Sequence, residues 1–181
     1  FEATLISVLV TYAAYRIIKE TKTGNVQLIT FFLIGLIAII RADGIVLAGL
    51  LGLSIVSVTG VSKRNIQGGV IAIAPFLIHM LVRYMYYGAL SPNTATLKLF
   101  NLNDRIAFGL KYLLTFIEWY WPIFLLILIQ LVRDIRQKKY IRLIPLLGIF
   151  FYAIYIAYIG GDGIGNNRFF VPIIPLLFVL G

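Results

Sequence analysis

The chain has 181 residues, of which 61% are hydrophobic and only 13% charged, with a mean hydropathy of +0.96. A water-soluble domain carries about a quarter charged residues, so this composition excludes one and points to an integral membrane protein. The absence of cysteine excludes disulfides and thiolate metal sites, and the net charge of +9 is read as loop charge beside a membrane rather than as a nucleic-acid surface.

Apolar runs at 3–18, 27–40, 44–60, 67–86, 117–132, 143–158 and 170–181 predict seven helices, an all-α, polytopic transmembrane bundle forming a single region over 1–181. Taken as one helix, the stretch 27–60 would be about 50 Å long against a hydrocarbon core of about 30 Å, so it must break, and Arg41-Ala42-Asp43-Gly44 is the break. The last run holds 12 residues before Gly181 and the chain opens at Phe1, so both ends are expected to be cut from something larger.

Orientation follows from "RDIRQKKYIR", residues 133–142, which has five basic residues and one acid and is expected on the cytoplasmic side. Threading from that loop places Lys19, Lys22, Lys63 and Arg64 inside. Glu2, Arg41 to Asp43, residues 87–116 and residues 159–168 then fall outside.

Four polar elements therefore gather on one face: Glu2, the Arg41/Asp43 hairpin, "YYGALSPNTATLK" at 86–98 and "GGDGIGNNR" at 160–168. Ionisable groups at the edge of hydrocarbon pair with each other or line a watery cavity, and for Arg41 and Asp43 a local ion pair capping the hairpin stands beside a role in a site. In the 86–98 loop, Ser91 can cap a helix with Pro92 in first position, which leaves free backbone donors near Asn93, Thr94 and Lys98. That outline suits a phosphate; it also suits the plain start of an interfacial helix. Tyr86 and Tyr87 fit an aromatic belt.

Between Asn103 and Phe116, Ile106, Ala107, Leu110, Leu113 and Leu114 recur at helical spacing opposite Asp104, Arg105 and Lys111, which predicts a helix lying on the outer surface. His79, one turn after Pro75, reads as a bundle histidine with a hydrogen-bonded partner. With no second histidine, neither a metal site nor any cofactor is expected. In "GGDGIGNNR" the glycines permit a tight turn, and Asp162 and Arg168 either present opposite charges to one bound group or bridge each other.

"FEATL", "RADG" after an apolar run, "YYGALSPNTATLK" and "GGDGIGNNRFFVPIIPLL", in this order, resemble the bacterial arabinofuranosyltransferase-like membrane glycosyltransferases of the GT-C superfamily, over nearly the whole chain. The resemblance implies a polyprenyl-phosphate-linked sugar donor, a glycan acceptor outside the bacterial cytoplasmic membrane, and inverting transfer assisted by an acidic base. It places the acidic catalytic residues upstream of Phe1, so this stretch alone is expected to be inactive. Gly163 after Asp162 departs from the bulky residue usual in the family. On this reading Arg168 and Lys98 contact phosphate and Asp162 and Asn93 hold sugar hydroxyls or orient the arginine, with Arg41, Asp43 and Glu2 as second choices. Two other classes are weighed. A transporter would show polar residues at mid-membrane and often an internal repeat, neither of which is evident, and a structural subunit would leave the outer polar groups facing separate neighbours.

The topology is directly testable because the chain has no native cysteine. In intact cells an impermeant thiol reagent is expected to label Gly163→Cys and to spare Gln137→Cys; the reverse pattern would invert the assignment.

Overall fold

The computed structural model describes residues 2–41, 43–89, 102–137, 143–161 and 167–180. Among them the fold is all-helical: α1 (Glu2–Thr21), α2 (Leu28–Ile40), α3 (Gly44–Thr59), α4 (Lys63–Tyr87), α5 (Leu102–Arg136), α6 (Leu143–Tyr158) and α7 (Ile174–Leu180), with one turn of 3-10 helix at Val171–Ile173 before α7. Each expected apolar run forms a helix. The helices divide into two compact units, 1–90 and 91–181.

In the first unit α2 is the central element and packs on α1, α3 and α4. The buried stripe of α1 is Ile6, Val10, Ala13 and Ile17, at the helical spacing that puts one face inward; it meets Phe31, Ile34 and Ile37 of α2 and Leu47 and Ile55 of α3 in a common core. Glycines set the approach of α2 to α4. A methyl group at Gly35 would strike the Ala72 backbone, and one at Gly68 would strike the Phe31 ring, so the two helices run parallel at close range, as small residues allow inside apolar bundles. The expected break between α2 and α3 is present. The Gly44 N–H donates to the Arg41 carbonyl at 2.9 Å, and the Gly44 backbone lies against the Ile37 carbonyl where no side chain fits.

In the second unit α5 and α6 are antiparallel, with Gly109 of α5 seated against the Ala157 backbone of α6, and α7 returns onto α5. The sequence reading had separated a surface helix (103–116) from a span (117–132). The structure joins them in one 35-residue helix with a kink, where Tyr120 departs from helical geometry (φ −112°, ψ 15°) two residues before Pro122. Pro122 cannot donate to the carbonyl one turn back, so it bends the helix there without ending it.

The inward face of α5 also differs from expectation. Arg105, Gly109 and Phe116 are buried, whereas Leu110 and Leu114 of the apolar stripe are exposed. The periodicity was sound, but an apolar stripe identifies the protein-facing side only when the surroundings are water. His79 is only partly exposed and has no hydrogen bond among the described residues, contrary to expectation. It lies on α4, little of which is buried.

Two helices, α4 and α5, are long and apolar enough to cross a membrane, at 25 and 34 residues in their apolar extents. Only 6% of the apolar window of α4 and 11% of that of α5 is buried. A core helix of a water-soluble domain would be mostly covered.

The α5–α6 seam yields a stability test. Gly109→Leu drives a side chain into the Ala157 backbone, an overpacking that costs about 1–3 kcal/mol, and is expected to lower the unfolding temperature in detergent by several degrees. Gly69→Leu, with open space around its Cβ, is expected to be neutral.

Candidate functional site

The segment "YIGGDGIGNNRFF" leaves α6 through a turn that depends on two glycines. The N–H groups of Ile159, Gly160 and Gly161 donate to the carbonyls of Tyr155, Ala157 and Ile156 at 3.0, 3.2 and 3.0 Å, closing the helix end. Gly160 (φ +87°) and Gly161 (φ +61°) lie in the left-handed region that favours glycine. A Cβ at Gly160 would meet the Arg105 side chain and one at Gly161 the Tyr112 ring, so the turn is laid directly on α5.

The chain is fixed again at 167–170. Asn167 is buried with φ +51°, and its carbonyl accepts the Phe170 N–H at 2.8 Å. Phe169 is held from both sides: its N–H donates to the Tyr112 hydroxyl at 3.1 Å, and its carbonyl accepts from the Tyr152 hydroxyl at 2.8 Å. The Phe170 ring stacks on Phe116 (centroids 4.1 Å, planes 13° apart) and on Tyr112 (5.4 Å, 21°). Arg168, between these anchored neighbours, is exposed, with its guanidinium carbon 6.0 Å from the Phe169 ring centroid. The cation is thus presented from a turn whose backbone is pinned, an arrangement that limits the ordering cost of gripping an anion.

Arg105 is the residue the sequence reading did not select. Only 9% of it is exposed, its guanidinium carbon sits 4.7 Å from the Tyr158 ring centroid, and its buried Nε has no hydrogen-bond partner. A cation–π contact returns about 0.5–2 kcal/mol, whereas removing an ion from water costs several kcal/mol. Tyr158 is the last residue of α6, and the partial negative charge of a helix C-terminus favours a cation there. The available signal was an arginine at the start of a long helix, where the macrodipole disfavours positive charge.

In the first unit Arg41 donates through Nε to Asp43 Oδ1 at 2.9 Å, with side chains 11% and 4% exposed. The pair joins the two sides of the α2–α3 hairpin. Glu2 is exposed in the first turn of α1, where a carboxylate complements the helix dipole. Asn93, Lys98 and Asp162 lie outside the described residues, so of the selected residues only Arg41 and Asp43 are seen together.

The first unit also holds a polar network that sequence reasoning overlooked. The buried Glu20 carboxylate accepts from Arg16 Nη2 (2.5 Å), the Gln27 N–H (2.9 Å) and Thr30 Oγ1 (2.8 Å), while Arg16 also donates Nε to Thr30 Oγ1 (2.9 Å) and Nη2 to Gln27 Oε1 (2.8 Å). Arg16 inside an apolar run, with Glu20 one turn on, was the signal. The Glu20 carboxylate has donors on both oxygens, which suits a clasp between α1 and α2.

No protein-family model, no curated protein and no solved structure matches this chain. The functional reading therefore rests on the residues themselves and on the motif resemblance given above.

The two tyrosines bracketing Phe169 are expected to act in concert on the turn. Tyr112→Phe and Tyr152→Phe each remove a hydrogen bond worth about 1 kcal/mol, and either is expected to raise amide exchange at Phe169 and Phe170 while leaving α1–α4 unchanged. Uniform acceleration throughout the chain would show that the effect is not local.

Proposed function

We propose that this chain serves in a GT-C-type membrane glycosyltransferase that moves a sugar from a polyprenyl-phosphate donor to a glycan acceptor on the outer side of the bacterial cytoplasmic membrane. The observation that carries the proposal is Arg168, an exposed guanidinium on a turn whose next residue is pinned by Tyr112 and Tyr152. The lipid-compatible exteriors of α4 and α5 support it, as does the ordered set of motifs resembling that superfamily.

In this reading the helices form a polytopic bundle, and the kink in α5 lies at the outer interface. Trp119 and Trp121 flank it and are exposed, a placement typical of aromatic residues at headgroup level. The part of α5 before the kink then runs along the outer surface, and the part after it enters the bilayer, ending near Arg133 and Arg136 on the cytoplasmic side.

Transfer is a substitution at the anomeric carbon. An acceptor hydroxyl oxygen forms the new glycosidic bond on the face opposite the leaving group, the bond from that carbon to the phosphate oxygen breaks, and polyprenyl phosphate departs with the electron pair. A carboxylate takes the hydroxyl proton; the resemblance places that acid upstream of Phe1. Arg168 stabilises the charge that develops on the leaving phosphate, the term that preorganised cations supply best.

Arg168→Ala removes a charge-assisted contact worth about 1.5–3 kcal/mol. In membranes expressing the full-length enzyme, donor-dependent transfer per folded molecule is expected to fall roughly ten- to a hundredfold. Arg168→Lys is expected to recover only part, because lysine lacks the planar fork that holds two oxygens. Normal transfer by folded Arg168→Ala would overturn the reading.

A further inference from the structure

The helices of the first unit are level at one end and not at the other. Arg64, in the first turn of α4, donates to the Val26 carbonyl just before α2, and from there the two parallel helices stay in step, with Gly68 against the Phe31 ring and Ala72 against Gly35. The constant offset brings Ile40, the last residue of α2, level with Leu77. Beyond that level α4 continues alone from Ile78 to Tyr87, about 15 Å at 1.5 Å per residue. On α1 the Ile6 side chain lies beside Gly44, so Glu2 stands about one turn above the α2–α3 hairpin. The overhang of α4 is apolar outside: Leu81, Val82, Met85 and Tyr86 are all exposed, a surface that belongs beside lipid. With the end of α4 at the headgroups, the hairpin stops well short of them. The 13 residues of α2 and 16 of α3 reach only about 20 and 24 Å across a hydrocarbon core of about 30 Å.

The composition of α4 changes at the same level. Its stripe toward α2 is Gly68, Ala72 and Pro75, and at the spacing of three and four residues that keeps one helix face it continues as His79 and Arg83, where α2 has stopped. The opposite face stays apolar, with Leu77 and Leu81 exposed. His79 and Arg83 therefore rise above the Arg41–Asp43 pair. The Arg83 guanidinium carbon is 5.8 Å from the ring of Tyr87, one turn nearer the helix end. Helical side chains ordinarily lean the other way, and this is the reach of a cation held below the headgroups. His79, a turn lower on a shorter side chain, makes no hydrogen bond among the described residues.

We propose that the first unit holds a recess in the leaflet at this end, the outer one in the orientation set by the basic loops, into which phospholipid headgroups and their water descend below their level elsewhere. The α2–α3 hairpin is its floor, His79 and Arg83 are on its wall, and Glu2 is at its rim. Local thinning is an inexpensive response to a short helix pair. The ionisable groups need a polar surrounding rather than a particular counter-ion, and a zwitterionic headgroup supplies one, its phosphate toward the histidine and arginine and its ammonium toward the glutamate. The inference rests on α4 spanning a membrane and stands whether or not Arg168 takes part in transfer.

The test uses single-cysteine variants, since the chain has no cysteine of its own. Each is labelled with bimane, reconstituted in phosphatidylcholine vesicles, and quenched by lipid carrying a nitroxide in the headgroup, by lipid carrying it in mid-chain, or by aqueous iodide. At His79→Cys the headgroup nitroxide and iodide are expected to quench several-fold more than the mid-chain nitroxide. Leu81→Cys, nearer the helix end but on the opposite face, is expected to show the reverse order. A flat bilayer cannot produce that pair of results, because depth alone puts Leu81 closer to the headgroups. Mid-chain quenching dominant at both positions overturns the recess, as does headgroup quenching dominant at both, which would mean that α4 rises clear of the membrane. Iodide quenching at His79→Cys without headgroup quenching overturns lipid as the occupant. No quenching there by any of the three shows the space filled by protein and likewise overturns the proposal. Should His79→Cys fold poorly, Arg83→Cys against Tyr84→Cys carries the comparison: a several-fold higher ratio of headgroup to mid-chain quenching at 83 supports the recess, and equal ratios overturn it.

Discussion

An apolar exterior governs this molecule, because it leaves polar groups to find their partners inside the protein. With α4 and α5 little buried, neither backbone breaks nor charges have a ready supply of water along those faces, and an unsatisfied polar group in such surroundings costs several kcal/mol. Charges and free backbone groups collect at helix ends, where short connections let side chains reach them.

The first unit shows the demand met at the α1–α2 and α2–α3 connections, although the buried Nε of Arg83 on α4 has no hydrogen-bond partner and its guanidinium carbon lies 5.8 Å from the Tyr87 ring centroid. Glu20 answers an arginine, a backbone N–H and a threonine hydroxyl together, and at the other end of α2 Arg41 closes on Asp43. Arg64 extends the pattern by donating to the Val26 carbonyl at 2.8 Å, which ties the start of α4 to the α1–α2 connection. Paired charges of this kind register helices against one another, since slipping by one turn would strand each partner. The second unit departs from the pattern. Its aromatic residues satisfy the Phe169 peptide and lock Phe170, and Arg105 lies over the Tyr158 ring much as Arg83 lies over Tyr87.

Much of the fold was legible in the sequence. Glycines at 24, 44, 60 and 88 punctuate the apolar runs, and each lies within or at the edge of a connection, with Gly60 and Gly88 capping α3 and α4 in positive φ. The continuity of α5 was not legible, because Pro122 looks the same whether it starts a helix or bends one. Nor was the burial of Arg105. Periodicity separates the two faces of a helix but does not say which face meets protein when the surroundings are themselves apolar, and the close fit of Gly109 to Ala157 that turns Arg105 inward is a property of two segments about fifty residues apart in the chain. At the candidate site the tight turn was visible from its glycines, and Gly160 and Gly161 do adopt positive φ. The one-turn spacing of Arg16 and Glu20 was legible, but their partners Gln27 and Thr30 lie across the α1–α2 connection, which spacing along one helix does not reveal.

The kink in α5 has a spectroscopic consequence. The chain contains two tryptophans, and both, Trp119 and Trp121, flank the non-helical Tyr120 and are exposed. All indole emission therefore arises from a single bend. Its wavelength reports the polarity at that one depth, and its quenching by brominated acyl chains or by aqueous iodide measures how far the bend lies from the middle of the bilayer, with no label attached and no residue altered.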